Sequence, residues 1–98
     1  MQQESSVKMI EKKFVIHNTL GLHARPASLF VRLANRFRSE ITVQKGKHKV
    51  NGKSIMGVMM LAAGPGSRIT ICVSGPDAMR AMAEIEKLFA HNFSEKIK

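Results

Sequence analysis

The sequence predicts an α+β fold: an open-faced two-layer sandwich in which a four-stranded antiparallel sheet carries three helices on one face. Three observations predict it. Three short segments alternate apolar and polar residues with period two, as strands wet on one side do, and a turn after the second sends a short fourth segment back beside it. Two longer segments carry one broad apolar arc at helical spacing, and a short third begins and ends on helix punctuation. The elements follow in the order β-α-β-β-α-β-α, so each helix finds its dry partner by stacking on a single sheet face. At 98 residues one domain spanning 1–98 is expected, because two cores would each be near the size where folding needs a staple. The single cysteine, Cys72, offers neither an intrachain disulfide nor a zinc cluster.

Residues 1–7 read as a loose polar lead-in. Ile10, Phe14 and Ile16 then mark the dry face of a first strand ending near His17, with Glu11 and Lys13 on its wet face. The segment from His17 to His23 reads as a loop in which Gly21 supplies freedom in φ. A helix follows, with Ala24 and Pro26 at its entrance; a first turn has no use for the N–H that proline lacks. Ala27, Leu29, Phe30, Val31, Leu33, Ala34 and Phe37 share its apolar arc.

Ile41 and Val43 give a second strand, Lys45-Gly46-Lys47 a turn, and His48 to Val50 a short return strand. Ser54 can cap a short helix from Ile55 to about Ala62, which Gly64-Pro65-Gly66 ends. A short helix buries one side only, so Met60 and Leu61 are expected in the core and Ile55, Met56 and Met59 at the surface. Ile69, Ile71 and Val73 mark a fourth strand, with Cys72 on its other face. A last helix runs to about Phe93 on Ala78, Ala81, Met82, Ile85, Leu88 and Phe89, with Met79 and Met82 expected only to pack. Glu86 interrupts that arc.

The charge is +9, from 16 Lys+Arg against 7 Asp+Glu. Arg36, Arg38, Lys45, Lys47, Lys49 and Lys53 crowd one stretch, opposed only by Glu40, which invites a nucleic-acid reading. Stacking aromatics are scarce, with no Trp or Tyr, and no recognition helix or Gly-x-x-Gly clamp is present. Steering toward acidic protein partners is the preferred reading. The first ten residues lack a basic head followed by an apolar run, and the longest weakly polar stretch, residues 55–65, is far short of the roughly 20 a bilayer requires. A cytoplasmic protein without membrane insertion is therefore expected. His17, His48 and His91 make no metal-ligand spacing, so neither metal nor cofactor is expected. Gly52-Lys53-Ser54 echoes the end of a P-loop, but position 47 holds Lys where that pattern needs Gly.

His23 is the residue that suggests chemistry. Directly before Ala24-Arg25-Pro26-Ala27, its imidazole stands where first-turn N–H groups point outward, a place suited to an anion such as a phosphoryl group. Arg25 is near enough in sequence to add charge-assisted hydrogen bonds. The positive helix end favours a neutral ring, which can act as a nucleophile. From the local residues alone, an ordinary cap or surface residue is the commoner reading of His23. No water-activating base is recognisable, so a hydrolase is not supported.

Gly21-Leu22-His23-Ala24-Arg25-Pro26-Ala27 and, further on, Asn51-Gly52-Lys53-Ser54-Ile55-Met56-Gly57-Val58-Met59-Met60-Leu61 strongly resemble the histidine-containing phosphocarrier family of the bacterial sugar phosphotransferase system, HPr. The resemblance runs from about Lys8 to about Phe93. It implies that His23 is phosphorylated on Nδ1 by the phosphoenolpyruvate-dependent enzyme I and passes the group to enzyme IIA domains, a carrier rather than a turnover enzyme. It further implies that Arg25 neutralises the phosphoryl group and that Ile55, Met56 and Met59 form a docking patch. Ser54 matches the serine that a dedicated kinase/phosphorylase modifies in many members. A monomer is expected. The chain departs from some relatives at Leu20, where a short polar residue can help cap the first helix. Alternatives are a regulatory paralogue, serving a nitrogen-related phosphorelay or transcriptional co-effection, and a basic nucleic-acid-binding module.

Overall fold

The computed structural model of the chain describes residues 8–93; the lead-in expected over 1–7 lies outside them. Its strands are β1 (Lys8–Val15), β2 (Glu40–Lys45), β3 (His48–Asn51) and β4 (Arg68–Gly75). Its helices are α1 (Ala24–Ala34), α2 (Ile55–Met60) and α3 (Ala78–Ala90). The strands lie in the order β1-β4-β2-β3, and every neighbouring pair is antiparallel. β1 and β2 are parallel strands joined by the α1 crossover, and β4 returns between them. The expected open-faced sandwich forms.

Ile69, Ile71 and Val73 of β4 are buried, while Thr70, Cys72 and Ser74 on the other face are half-exposed. Cross-strand pairing sets Ile10, Lys12 and Phe14 beside that buried row, and Ile41 and Val43 on its other flank. Over it lie Ala27, Phe30 and Ala34 of α1, Val58 of α2, and Ala78, Ala81, Met82 and Ile85 of α3. Phe14 stacks on Phe89 with centroids 4.3 Å apart, and Phe93 meets Phe89 edge-on at 4.7 Å.

Several boundaries and faces differ from the sequence expectation. β1 ends at Val15 rather than near His17, because Ile16 leaves the ladder to exchange hydrogen bonds with the loop before β4: its N–H donates to Ser67 O (2.9 Å) and its carbonyl accepts from Gly66 N–H (2.8 Å). α3 stops at Ala90. Asn92 and Phe93 turn left-handed (φ 54° and 61°), so that the Phe93 N–H reaches back to Leu88 O at 2.9 Å and its ring enters the core.

Met60 is not in the core but 76% exposed. At about 100° per residue the inward direction of α2 is shared by Val58 and Leu61, and Met60 points more than a right angle away from it. Met79 likewise stands 63% exposed, at a depression between β1 and α3 bordered by Ile10 and Met82, so packing does not account for it. Glu86, the polar residue in the apolar arc of α3, pairs with Lys12, which stands between Ile10 and Phe14 on the helix-facing side of β1.

Candidate functional site

The site is built where the β1–α1 loop meets the loop after α2. The Gly21 N–H donates to Asn18 O (3.0 Å), closing a tight turn, and the Leu22 N–H donates to Ala63 O (2.8 Å). Gly21 takes φ +73°, and a β-carbon there would lie 2.5 Å from Ala63 O and 2.6 Å from Gly64 Cα. Only glycine fits both the dihedral and the close approach. Leu22 is buried as the anchor of this loop.

His23 follows in extended geometry (φ −83°, ψ −168°) as the N-cap of α1, exposed, with no side-chain cap bond. Pro26 supplies no N–H, and Ala27 is the residue whose amide closes the first turn, onto His23 O at 3.0 Å. Arg25 is exposed on that turn, and Ala24 opens it. The imidazole therefore borders a positive helix end that no side chain of the cap neutralises.

His23 lines a shallow depression of about 290 Å³ with Leu20, Leu22, Met59, Ala62, Ala63 and Gly64. The structure thus brings His23 and Met59 together, as residues far apart in sequence. Ala62, in the same wall, has φ +50°, an unusual conformation for a residue with a β-carbon. Ile55, Met56 and Met59 are 37%, 67% and 40% exposed, and Met60 extends that apolar surface.

Ser54 stands at the opposite end of α2 from this depression. It is the N-cap, and its hydroxyl oxygen accepts from the Gly57 N–H at 3.1 Å. The cap is held from below: the Asn51 side-chain carbonyl accepts from the Lys53 N–H (2.9 Å) and the Asn51 backbone carbonyl from the Ser54 N–H (3.1 Å).

The basic run does not assemble into one face. The Lys45 and Lys53 ammonium groups turn inward to Leu61 O (3.4 Å) and Phe37 O (2.6 Å), whereas Lys49 sits opposite Gln44 on the open side of the sheet. Among the described residues no group of three His, Cys, Asp or Glu is gathered to hold a metal ion. No helix among them is long and apolar enough to cross a membrane.

One structural pair escaped sequence reasoning. The Asp77 carboxylate accepts from the Ser39 hydroxyl (2.6 Å), the Ser39 N–H (2.9 Å) and the Arg38 N–H (3.0 Å). The Ser39 hydroxyl and then the Arg38 amide hold its pKa down at about 2. The only local signal was an aspartate at a helix start, and α3 does not use its side chain as a cap.

Residues 10–91 match the family model for the PTS HPr component phosphorylation site. The chain belongs to the HPr family. It is 47% identical over 88 residues to the phosphocarrier protein HPr of Treponema pallidum, covering 90% of this chain and all of that protein. It is 54% identical over 74 residues to the HPr-like protein Crh of Halalkalibacterium halodurans, 76% of this chain and 88% of that one. Among solved structures, HPr-C-His from Thermoanaerobacter tengcongensis superposes with a TM-score of 0.84 at 41% identity, over 90% of this chain and 99% of that one. This HPr-family chain is a phosphocarrier of the phosphotransferase system and not a turnover enzyme.

Proposed function

We propose that His23 is the phosphoryl carrier. Its Nδ1 lone pair attacks the phosphorus held by phosphorylated enzyme I, the bond from phosphorus to enzyme I breaks with its electron pair returning to that protein, and the group later leaves to an enzyme IIA domain by the same displacement. The observation that carries this reading is an exposed imidazole at an uncapped helix N-terminus, inside the family's phosphorylation-site match. Arg25, on the adjoining turn, supplies a guanidinium for the phosphoryl oxygens. Ala24 and Pro26 set the helix entrance, and Ile55, Met56 and Met59 form the partner-docking patch. One chain supplies both His23 and Arg25, so a single-domain monomer over 1–98 suffices, working in the cytoplasm.

Ser54 is the regulatory site, modified by a dedicated kinase/phosphorylase. A phosphate there adds about −1.5 to −2 charge beside the docking patch. The α2 N-terminus tolerates it, while an acidic partner is repelled. The 54% identity to an HPr-like Crh protein supports a regulatory-paralogue alternative, in a nitrogen-related relay or as a transcriptional co-effector. The presence of His23 favours carriage, since an effector driven by Ser54 alone has no use for it.

The test is reconstitution with phosphoenolpyruvate and the cognate enzyme I, beside His23→Ala. Acid-labile, base-stable label on the wild type and none on the variant is the expected result. An unlabelled wild type overturns the reading. Separate IIA domains then identify the acceptor.

A further inference from the structure

Leu20 is 71% exposed, while Leu22, two residues on, is 6% exposed and fills the core. The two leucines of one short loop thus have different work, and folding uses only the second. Leu20 lies in the tight turn closed by Gly21 N–H to Asn18 O, and that turn is fastened on two further sides. The Asn18 side-chain amide donates to Asn92 O at the end of α3 (3.2 Å), and the Leu22 N–H donates to Ala63 O (2.8 Å). An apolar side chain is therefore held out into water on a fixed base, in the wall of the depression that contains His23, with Met59 in the same wall.

We propose that Leu20 is a partner-selecting contact: with Met59 it forms an apolar clasp beside His23 that seats an apolar side chain of the phosphoryl-donating protein. This rests on the carrier reading and adds to it a residue outside α2. The occupant is a protein surface with a projecting apolar side chain and an acidic rim. The rim follows from the charges around the depression. Arg25, in the first turn of α1, and Arg68, opposite Val15 at this end of the sheet, carry positive charge here. Of the acidic residues among those described, Glu40 and Asp77 stand at the other end of the sheet, Glu11 lies mid-strand opposite Cys72 on the open face, and Glu84 and Glu86 are paired with Lys87 and Lys12. Because the turn is already fixed, closing the clasp orders little additional chain, so burial of the leucine goes directly into affinity.

The test compares wild type, Leu20→Ser and Leu20→Met, using enzyme I as the partner. Three quantities are read: binding of the unphosphorylated chain to enzyme I, KM and kcat for phosphoryl uptake, and the rate at which phosphorylated His23 loses its group to water. Leu20→Ser is expected to weaken binding and raise KM by about tenfold, with kcat changed less than about twofold, and Leu20→Met to restore both. Thermal unfolding and the rate of loss to water stay at wild-type values in each. Unchanged KM and affinity in Leu20→Ser overturn the proposal, as does faster loss to water at unchanged KM, which makes the leucine a water shield instead. A wild type that takes no label overturns the carrier reading itself; a labelled wild type with an indifferent Leu20→Ser overturns this proposal alone.

Discussion

Lys12 of β1 and Glu86 of α3 form an ion pair across the sheet–helix interface, and each is a charged residue standing among apolar ones on its face. The two irregularities answer one another. Both side chains stay substantially in water, at 49% and 40% exposure, so their attraction is screened. A double-mutant cycle of Lys12→Ala and Glu86→Ala in urea is expected to give a coupling of about 0.2–1 kcal/mol that shrinks in high salt. A coupling that is large and insensitive to salt would show that the pair is sealed from solvent.

Ser54 has a structural duty that its proposed regulation must respect. Ser54→Ala removes the acceptor for the Gly57 N–H and is expected to lower stability by about 1 kcal/mol. Ser54→Asp keeps a capping oxygen and adds a negative charge at a favourable helix end, so stability is expected to stay near that of the wild type while transfer from enzyme I slows. Parallel denaturation and transfer assays read both effects. Equal transfer rates for Ser54→Asp and wild type would remove the repulsion argument.

Ala62, in the wall of the His23 depression, and Gly21, in the loop that leads to it, have opposite backbone requirements. Ala62 holds φ +50° with a β-carbon, so Ala62→Gly is expected to raise stability by up to about 1 kcal/mol, the left-handed strain being partly offset by the glycine's unfolded-state entropy. Gly21→Ala meets Ala63 O and Gly64 Cα and is expected to destabilise by roughly 1–3 kcal/mol. It also displaces His23, so phosphoryl uptake falls with it. Retained uptake in a folded Gly21→Ala would mean that the loop after α2 is not needed to position the histidine.

Asp77 makes stability sensitive to strong acid. Its folded pKa of about 2 lies below the ordinary 3.8, chiefly through the Ser39 hydroxyl and then the Arg38 amide. A depressed folded pKa stabilises the native state above the unfolded value, and that contribution disappears as pH falls from about 3.8 through about 2. Ser39→Ala is expected to move the Asp77 titration upward and to reduce this part of the acid dependence. Titration of the Asp77 carboxyl by NMR, with acid unfolding alongside, reads it; an unmoved Asp77 titration in Ser39→Ala contradicts the assignment.

Much of this molecule was legible one segment at a time. Period-two alternation announced Ile69, Ile71 and Val73 as an inward row, and the arc of Ala27, Phe30 and Ala34 announced the buried side of α1. Local chemistry marked Ser54 as a cap, and the residues from Gly21 to Ala27 marked a histidine at a helix entrance. Met60 escaped because a helix of six residues carries too few positions to fix its inward direction. Packing of Val58 and Leu61 on the rest of the core set that direction.

The sequence by itself determined the identity of the elements, the faces of the long ones, and the family to which the His23 and Ser54 segments belong, since these depend on residues within a few positions of one another. Tertiary structure decided what met what. It paired Lys12 with Glu86, Ser39 with Asp77, and Leu22 with Ala63, and it set Leu20 and Met59 in one wall beside His23. The physical reason is that hydrophobic periodicity reports which side of an element is dry but not which neighbour covers it. That choice was made when β4 returned between β1 and β2 and brought the loops at either end of the sheet into contact.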